Sequence, residues 1–146
     1  MAKSQQYYAN HTRFDPGYHV VLFLLIAAGL IGSCVNLYQS LGDHQRLYSA
    51  ALIVVLEVVA LLLFWYCRVN PLKAQDRAIR AEENLRHFVL TGKLLDPRLT
   101  VKQIVALRFA PDNEFVALAA RAASDEMIPD DIKRAIQSWR ADTYRV

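Results

Sequence analysis

Glycine is scarce in this chain, whose 146 residues include only 5 glycines. The glycine-rich loops that cradle phosphate groups, G-x-x-x-x-G-K-[ST] and G-x-G-x-x-G, are both absent, and so is the G-x-S-x-G turn of many hydrolases. No cysteine lies close to a histidine in the sequence either. These absences predict a protein that is not an enzyme.

The 2 cysteines and 4 histidines are also placed unsuitably for a disulfide or a metal centre. If the chain folds back near Asp43, Cys34 and Cys67 differ in depth by roughly 22 Å of helix, whereas a disulfide needs Cα atoms within about 7 Å. The 4 histidines do not cluster in the sequence. Glu83 and His87 share a helical face, but two ligands make a weak site. We therefore expect no disulfide within the chain, no metal and no cofactor.

Charge is missing from two long stretches of the sequence. No Asp, Glu, Lys or Arg occurs from Val20 to Tyr38, and Glu57 is the only one from Leu47 to Tyr66. A helix of about 20 residues crosses a hydrocarbon core roughly 30 Å thick. The sequence therefore predicts two membrane spans, at about residues 20–40 and 47–67.

A cleaved signal peptide is the competing interpretation of the first span. Ile31-Gly32-Ser33-Cys34 faintly resembles a lipoprotein processing site. The apolar run continues beyond Cys34, however, which favours a retained span. We expect a transmembrane hairpin over residues 18–67.

The distribution of basic residues predicts the orientation of this hairpin. The polar link Gly42–Arg46 carries one arginine, whereas basic residues are dense after the second span and also occur before the first. Because Lys and Arg are enriched on the cytoplasmic side, both termini are predicted to be cytoplasmic. Lys73 and Arg77 follow the second span closely, so contact with anionic lipid is also expected.

Glu57 is costly in the middle of a span, and a carboxyl group there is usually turned inward and paired or protonated. Folding the hairpin places it level with the small residues Gly29, Gly32 and Ser33, with Asn36 about one turn nearer the outside. Glu57 could be protonated and act as polar glue within the hairpin or an oligomer. It could instead handle protons or cations, or pair with a basic residue of another subunit.

Residues 68–146 predict a cytoplasmic helical domain of about four helices, and residues 1–17 predict an irregular cytoplasmic arm. Asn70-Pro71 is typical of a helix start and Gly92 of a helix end. Thr100 with Gln103 forms a capping-box pattern, and further helices are expected from Pro111 and from Pro129.

The predicted helix after the second span carries an apolar seam with spacings of 4, 3, 4 and 3 residues. The seam consists of Ala74, Ala78, Ala81, Leu85 and Phe88. It suits packing on the protein's own later helices or a symmetric helix pair in an oligomer. The opposite face carries the charge pairs Asp76 with Arg80 and Glu82 with Arg86, each spaced i,i+4.

The segment LTVKQIVALRFAPDNEFVALAARAA has the order of a helix-turn-helix, but Arg121 is the only basic residue of its second helix. A recognition helix presents several basic or amide side chains to DNA. We therefore expect no nucleic-acid partner.

Three stretches resemble a family of small two-span bacterial membrane proteins of uncharacterised function. They are YANHTRF, QDRAIRAEENLRHFVLTGKLLDPRLT and IKRAIQSWRADTYRV, and the resemblance extends over nearly the whole chain. It implies a bacterial membrane location and supplies no catalytic residues.

Together these features predict an all-α, multi-pass protein of the bacterial inner (plasma) membrane. The expected function is that of a non-enzymatic scaffold or accessory subunit, which assembles through its spans and the helix that follows them. Its expected partners are the lipid bilayer and either further copies or a larger membrane complex. The alternative is a proton- or cation-conducting homo-oligomer lined by Glu57 and Asn36.

Overall fold

The computed structural model describes residues 6–8 and 14–142. This part of the chain contains five α-helices and no β-strand, which confirms the all-α prediction. The chain divides into two compact units. We call residues 14–70 the apolar hairpin, and residues 1–13 with 71–146 the helical domain.

The apolar hairpin begins with a π-helical segment, Gly17–Leu22, which continues into helix α1, Phe23–Gln39. The carboxylate of Asp15 accepts hydrogen bonds from the backbone N–H groups of Gly17 (2.9 Å) and Tyr18 (3.3 Å). These donors have no partner within the helix, so Asp15 satisfies them. The helical structure therefore starts slightly earlier than the predicted span.

A tight turn at residues 40–43 joins α1 to helix α2, which begins at His44. The hydroxyl of Ser40 donates to the carbonyl oxygen of Asn36 at 2.8 Å. The carboxylate of Asp43 accepts from the N–H groups of Gln45 (3.0 Å) and Arg46 (3.3 Å). Local side chains thus cap both helix ends at the turn.

The two helices of the hairpin pack through small residues at one end and aromatic rings at the other. Ser33, Ser40 and Ala50 are buried. The rings of Tyr18 and Phe64 stack with centroids 4.5 Å apart, and the Tyr18 hydroxyl donates to the Phe64 carbonyl oxygen. Because residue 18 meets residue 64 while the turn lies at 40–43, the two helices run antiparallel.

Helix α2 extends from His44 to Thr91 with Pro71 inside it, so the predicted helix start at Asn70-Pro71 is wrong. Proline removes one N–H donor and crowds the carbonyl group four residues earlier. The helix nevertheless continues through Pro71 to Thr91. The helix ends before Gly92 (φ 73°), as predicted, since glycine tolerates this left-handed conformation.

Two helical segments, Gly17–Gln39 and His44–Thr91, are long and apolar enough to cross a membrane. Only 11% and 6% of their most apolar windows are buried inside the protein. The core helix of a soluble protein would be mostly buried. These windows instead present apolar side chains outward.

The helical domain combines the last part of α2 with α3 (Val101–Leu107), α4 (Asp112–Ser124) and α5 (Pro129–Ala135). The predicted capping box is confirmed, because Thr100 and Gln103 each accept a hydrogen bond from the backbone of the other. The largest fully buried side chains are those of Leu107, Phe109, Phe115 and Ile132. Each contributes about 1.5–3 kcal/mol by leaving water, which holds this small core together.

The pattern DDIKRAIQSW after Pro129 predicts a helix as far as Trp139, but helix α5 ends at Ala135. The carboxylate of Glu114 accepts hydrogen bonds from the N–H groups of Gln137 (2.9 Å) and Ser138 (3.0 Å). These two donors are therefore satisfied outside a helix. The N–H of Arg140 in turn donates to the Phe109 carbonyl oxygen at 2.8 Å, so the chain stays attached to the core.

Residues 6–8 of the predicted N-terminal arm lie in the helical domain. The hydroxyl of Tyr8 donates to Asp130 at 2.6 Å, and Gln6 accepts from the N–H of Asp142 at 2.8 Å. The hydrogen bond with Tyr8 also raises the pKa of Arg134. Residues 1–5 and 9–13 of this arm lie outside the described part of the chain, as do residues 143–146.

The loop between α2 and α3 is supported by Asp96. Its carboxylate accepts from the Arg98 guanidinium (2.7 Å) and from the Arg98 N–H (2.9 Å), which lowers the pKa of Asp96 from 3.8 to about 2. A lowered carboxyl pKa contributes stability that is present above the ordinary value and is lost as the pH falls. The support of Asp96 is therefore fully present at neutral pH.

Arg86 fixes the rotation of α2 in the helical domain. Its guanidinium donates to Glu83 (3.0 Å), to Asp112 (2.7 Å) and to the carbonyl oxygen of Ala110 (2.8 Å). It also lies 4.3 Å from the centre of the Phe115 ring. The predicted i,i+4 partnership of Glu82 with Arg86 is thus replaced by i,i+3 pairing with Glu83 and a long-range bond to α4.

We expect Arg86→Met to destabilise the packing of α4 on α2 by about 3 kcal/mol, because the buried Glu83 carboxylate then loses its cation. Hydrogen exchange of α4 peptides in the full-length protein would measure this loss. Arg80→Met, at an exposed position of the same helix, is the matched control and should change protection by less than about 0.5 kcal/mol. Equal protection in the two variants would contradict the role of Arg86.

Candidate functional site

The carboxyl group of Glu57 lies against Gly29 inside the apolar hairpin. A methyl group added at Gly29 would lie 2.6 Å from Oε1 of Glu57 and 2.9 Å from its Cδ. Real Cβ atoms essentially never come so close to another atom, so only glycine fits here without displacing the carboxyl group. Of the predicted partners, Gly29 is the one against which the structure places Glu57.

The other three residues predicted near Glu57 have different surroundings. The buried hydroxyl of Ser33 donates to the carbonyl oxygen of Leu30 at 2.9 Å, so this proton is used within its own helix. A methyl group at Gly32 would meet nothing within 4 Å. Asn36 has an exposed side chain. Of the residues predicted to surround Glu57, only Gly29 is therefore in close contact with its carboxyl group.

The chemistry available to Glu57 is limited because the two apolar stretches contain no other charged residue. Glu57 is the only charged residue between Leu47 and Tyr66, and Val20–Tyr38 has none. A second carboxylate or a basic side chain that could exchange a proton with Glu57 is therefore missing from these two stretches. The contact can set the distance between two helices, because a glycine lets a neighbouring side chain reach the backbone.

All five residues of the predicted seam are exposed. Leu85 is 63% exposed and Phe88 is 50% exposed. The expectation that the seam packs on the protein's own later helices is therefore wrong for this structure.

The face of α2 that packs on the other helices is the more polar one. Ile79 and Glu83 are buried, and Arg86 and His87 are partly buried. The ring of His87 lies 6.0 Å from that of Phe115. The apolar pattern predicts that the seam faces inward. The prediction fails because the hydrogen bond of Arg86 to α4 turns the Glu83 and Arg86 side inward instead.

A cavity of about 390 Å³ opens beside this face, within the helical domain. Its polar lining comes from two parts of the domain and includes Gln75, Glu82, Glu83, Arg108, Arg140 and Asp142. Arg108 and Asp142 form an ion pair at 3.1 Å, and Oε1 of Gln75 is buried with no hydrogen-bond partner among the described residues. The only sign of this cavity in the sequence is the i,i+7 spacing of Gln75 and Glu82, which places both side chains on one face of α2.

Metal ligands do not gather in the described ranges, where no group of three or more His, Cys, Asp or Glu side chains could hold an ion. Cys34 and Cys67 are free and exposed. The features that remain as candidate sites are the Glu57 contact, the exposed seam and the cavity.

Comparison with known protein families gives one match, over residues 1–146, to a family described as "Family of unknown function (DUF6526)". Comparison with the curated proteins and with the solved structures finds no match. The site geometry is therefore the basis for any functional assignment.

We expect Gly29→Ala to lower the stability of the hairpin by about 0.5–1 kcal/mol, because the added methyl group must displace the Glu57 carboxyl, which is the flexible end of its side chain. An SDS titration of the full-length protein, followed by circular dichroism, would measure the change. Gly32→Ala adds the same methyl group where there is space, so it should shift the midpoint very little.

The Glu57→Ala background supplies a second control for this contact. There the atoms that the new methyl group would meet are gone, so Gly29→Ala should cost almost nothing. A cost of Gly29→Ala that is the same in both backgrounds would show that the two residues do not interact.

Proposed function

Because this chain belongs to the DUF6526 family, whose function is unknown, we propose its function from its own geometry. The protein is a non-enzymatic scaffold or accessory subunit of the bacterial inner membrane. It crosses the membrane twice through the apolar hairpin, and both of its termini are cytoplasmic. It assembles with partners through the hairpin and through the exposed seam of α2.

The outward apolar surface of the hairpin supports the membrane part of this proposal. Leu25, Leu56 and Leu63 are more than half exposed, although each belongs to a helix long enough to cross a bilayer. Apolar patches of this extent on a soluble monomer are rare, because water strongly opposes them. In a lipid bilayer this exposure carries no such cost, because the acyl chains are as apolar as the side chains.

The charge pattern supports the proposed orientation. Arg46 is the only Lys or Arg in the turn region, whereas Arg68, Lys73, Arg77 and Arg80 follow the second apolar stretch within a few turns. The positive-inside bias then keeps the turn outside. Lys73 and Arg77 are exposed and are available to anionic headgroups.

The exposed seam is the observation that carries the scaffold function. Apolar residues at helical spacing on a face turned away from the core are typical of a helix-binding surface. The alanines allow a second helix to approach closely, and Leu85 and Phe88 supply apolar area. Burying these two side chains on association contributes about 1.5–3 kcal/mol each, before the cost of association.

The Glu57 contact supports a structural role for that residue over conduction. A conducting homo-oligomer needs Glu57 to face a pathway shared between copies, and a pathway needs further polar groups along its length. In the hairpin the carboxyl group meets Gly29 of its own chain, and Asn36 is the remaining polar candidate of the pathway. We therefore propose that Glu57 holds the two spans at close distance.

The scaffold function predicts that the wild-type protein, purified in native nanodiscs from its own membrane, has an intact-complex mass above that of one chain. Leu85→Glu combined with Phe88→Glu should reduce the mass to that of one chain, because charge on the seam opposes burial. Leu94→Glu changes an equally exposed leucine outside the seam and should leave the mass unchanged. A single-chain mass for the wild type would overturn the scaffold proposal.

Measurement of proton and cation flux in proteoliposomes would test the conducting alternative. We expect flux no higher than in empty liposomes, for both the wild type and Glu57→Gln, because no second charged side chain accompanies Glu57 in the two apolar stretches. Flux through the wild type that is lost in Glu57→Gln would overturn the purely structural role.

A further inference from the structure

We propose that the partner of the exposed seam is a second copy of this chain, paired with the first in parallel and in register over residues 74–88. This inference rests on the proposed function, in which the seam is an assembly surface. It adds the identity of the partner, the direction of pairing and the residues that select both.

The spacing of the seam fits a helix of the same kind as a partner. Its intervals of 4, 3, 4 and 3 residues are those of positions d, a, d, a and d in a heptad repeat. Alanine occupies the first three positions and permits a close approach, whereas Leu85 and Phe88 occupy the last two. A parallel pair in register places each residue beside the same residue of the second copy. The alanines then pack on alanines, and Leu85 and Phe88 pack on their own counterparts.

Charges beside the seam select the parallel direction. With this heptad assignment Arg77 is at position g and Glu82 is at position e, five residues later. A parallel pair brings position g of one helix to position e of the other, so Arg77 meets Glu82 of the second copy on both sides. Both side chains are exposed, and neither forms an ion pair with another residue of the described part of the chain.

Antiparallel pairing offers no such match. It aligns g with g and e with e, where the available residues are Arg77 and Asn84 on one side, and Gln75, Glu82 and Val89 on the other. No opposite charges can meet among these, whichever register is chosen. Two copies inserted into one membrane in the same sense are also parallel, so the proposed topology and the charges favour the same pairing.

Disulfide trapping in proteoliposomes tests the direction and register. In full-length protein with Cys34→Ser and Cys67→Ser, we expect Ala81→Cys to give a covalent dimer under mild oxidation, since equivalent d positions lie within disulfide reach in a parallel pair. Arg80→Cys, one residue away on an exposed but different face, should stay monomeric. Equal cross-linking at both positions would overturn the pairing.

Charge exchange tests the residues that select the partner. We expect Arg77→Glu alone and Glu82→Arg alone each to weaken dimerisation by roughly 3- to 10-fold, and the double exchange to restore it. Förster transfer between labelled copies in proteoliposomes would measure the dimer fraction. Failure of the double exchange to restore the dimer would overturn the assigned contact.

The outcomes separate this inference from the scaffold proposal. A complex heavier than one chain that contains a different protein on the seam, with no cross-link at position 81, refutes the second copy and leaves the scaffold function standing. A single-chain mass together with no cross-link refutes both. Cross-linking at position 81, lost in the Leu85→Glu and Phe88→Glu variant, supports both.

Discussion

The rotation of α2 about its own axis in the helical domain depends on the bonds made by Arg86. Its guanidinium joins Glu83 on the same helix to Asp112 and to the Ala110 carbonyl group, and it covers the face of Phe115. A guanidinium with only 12% of its side chain exposed must keep these partners, since a buried cation without them is very costly. The helix therefore turns its Glu83 and Arg86 side inward.

The exposed seam follows from that rotation. Successive residues of an α-helix are about 100° apart, so the face centred on Ala81 and Phe88 lies roughly opposite the face centred on Ile79 and Arg86. When the polar pair is held against α4, the apolar seam has to point away from it. The usual amphipathic arrangement is thus reversed along this part of α2, and an apolar face is left exposed.

Much of the fold could be predicted from the sequence, because local chemistry determines many of its features. The two apolar stretches, the Thr100 and Gln103 capping box and the glycine stop at Gly92 all depend on residues close in sequence. The level of Glu57 opposite Gly29 followed from the length of the turn. Several predictions that depend on neighbours within about one helical turn, or on a short link, were therefore accurate, although the helix start at Asn70-Pro71 was not.

Two of the errors have a common physical origin in distant partners. Helix α5 stops where Glu114 accepts two backbone N–H groups, and the seam faces outward because Arg86 binds α4. The sequence pattern alone predicts that periodic apolar residues are buried and that a proline ends a helix. A charged side chain with several long-range acceptors can outweigh that pattern, and no spacing rule in the sequence reveals those acceptors.

A seam of about two heptads is too short to hold two soluble helices together, because association costs more than the burial of a few side chains returns. Confinement to a membrane changes this balance, since the hairpin already fixes the orientation of each chain and keeps copies close. Under the proposed arrangement the seam therefore supplies selectivity, through its spacing and through Arg77 and Glu82, rather than most of the affinity. In the same proposal the close contact of Glu57 with Gly29 has a matching role, because it fixes how the two helices of each hairpin pack before any partner binds.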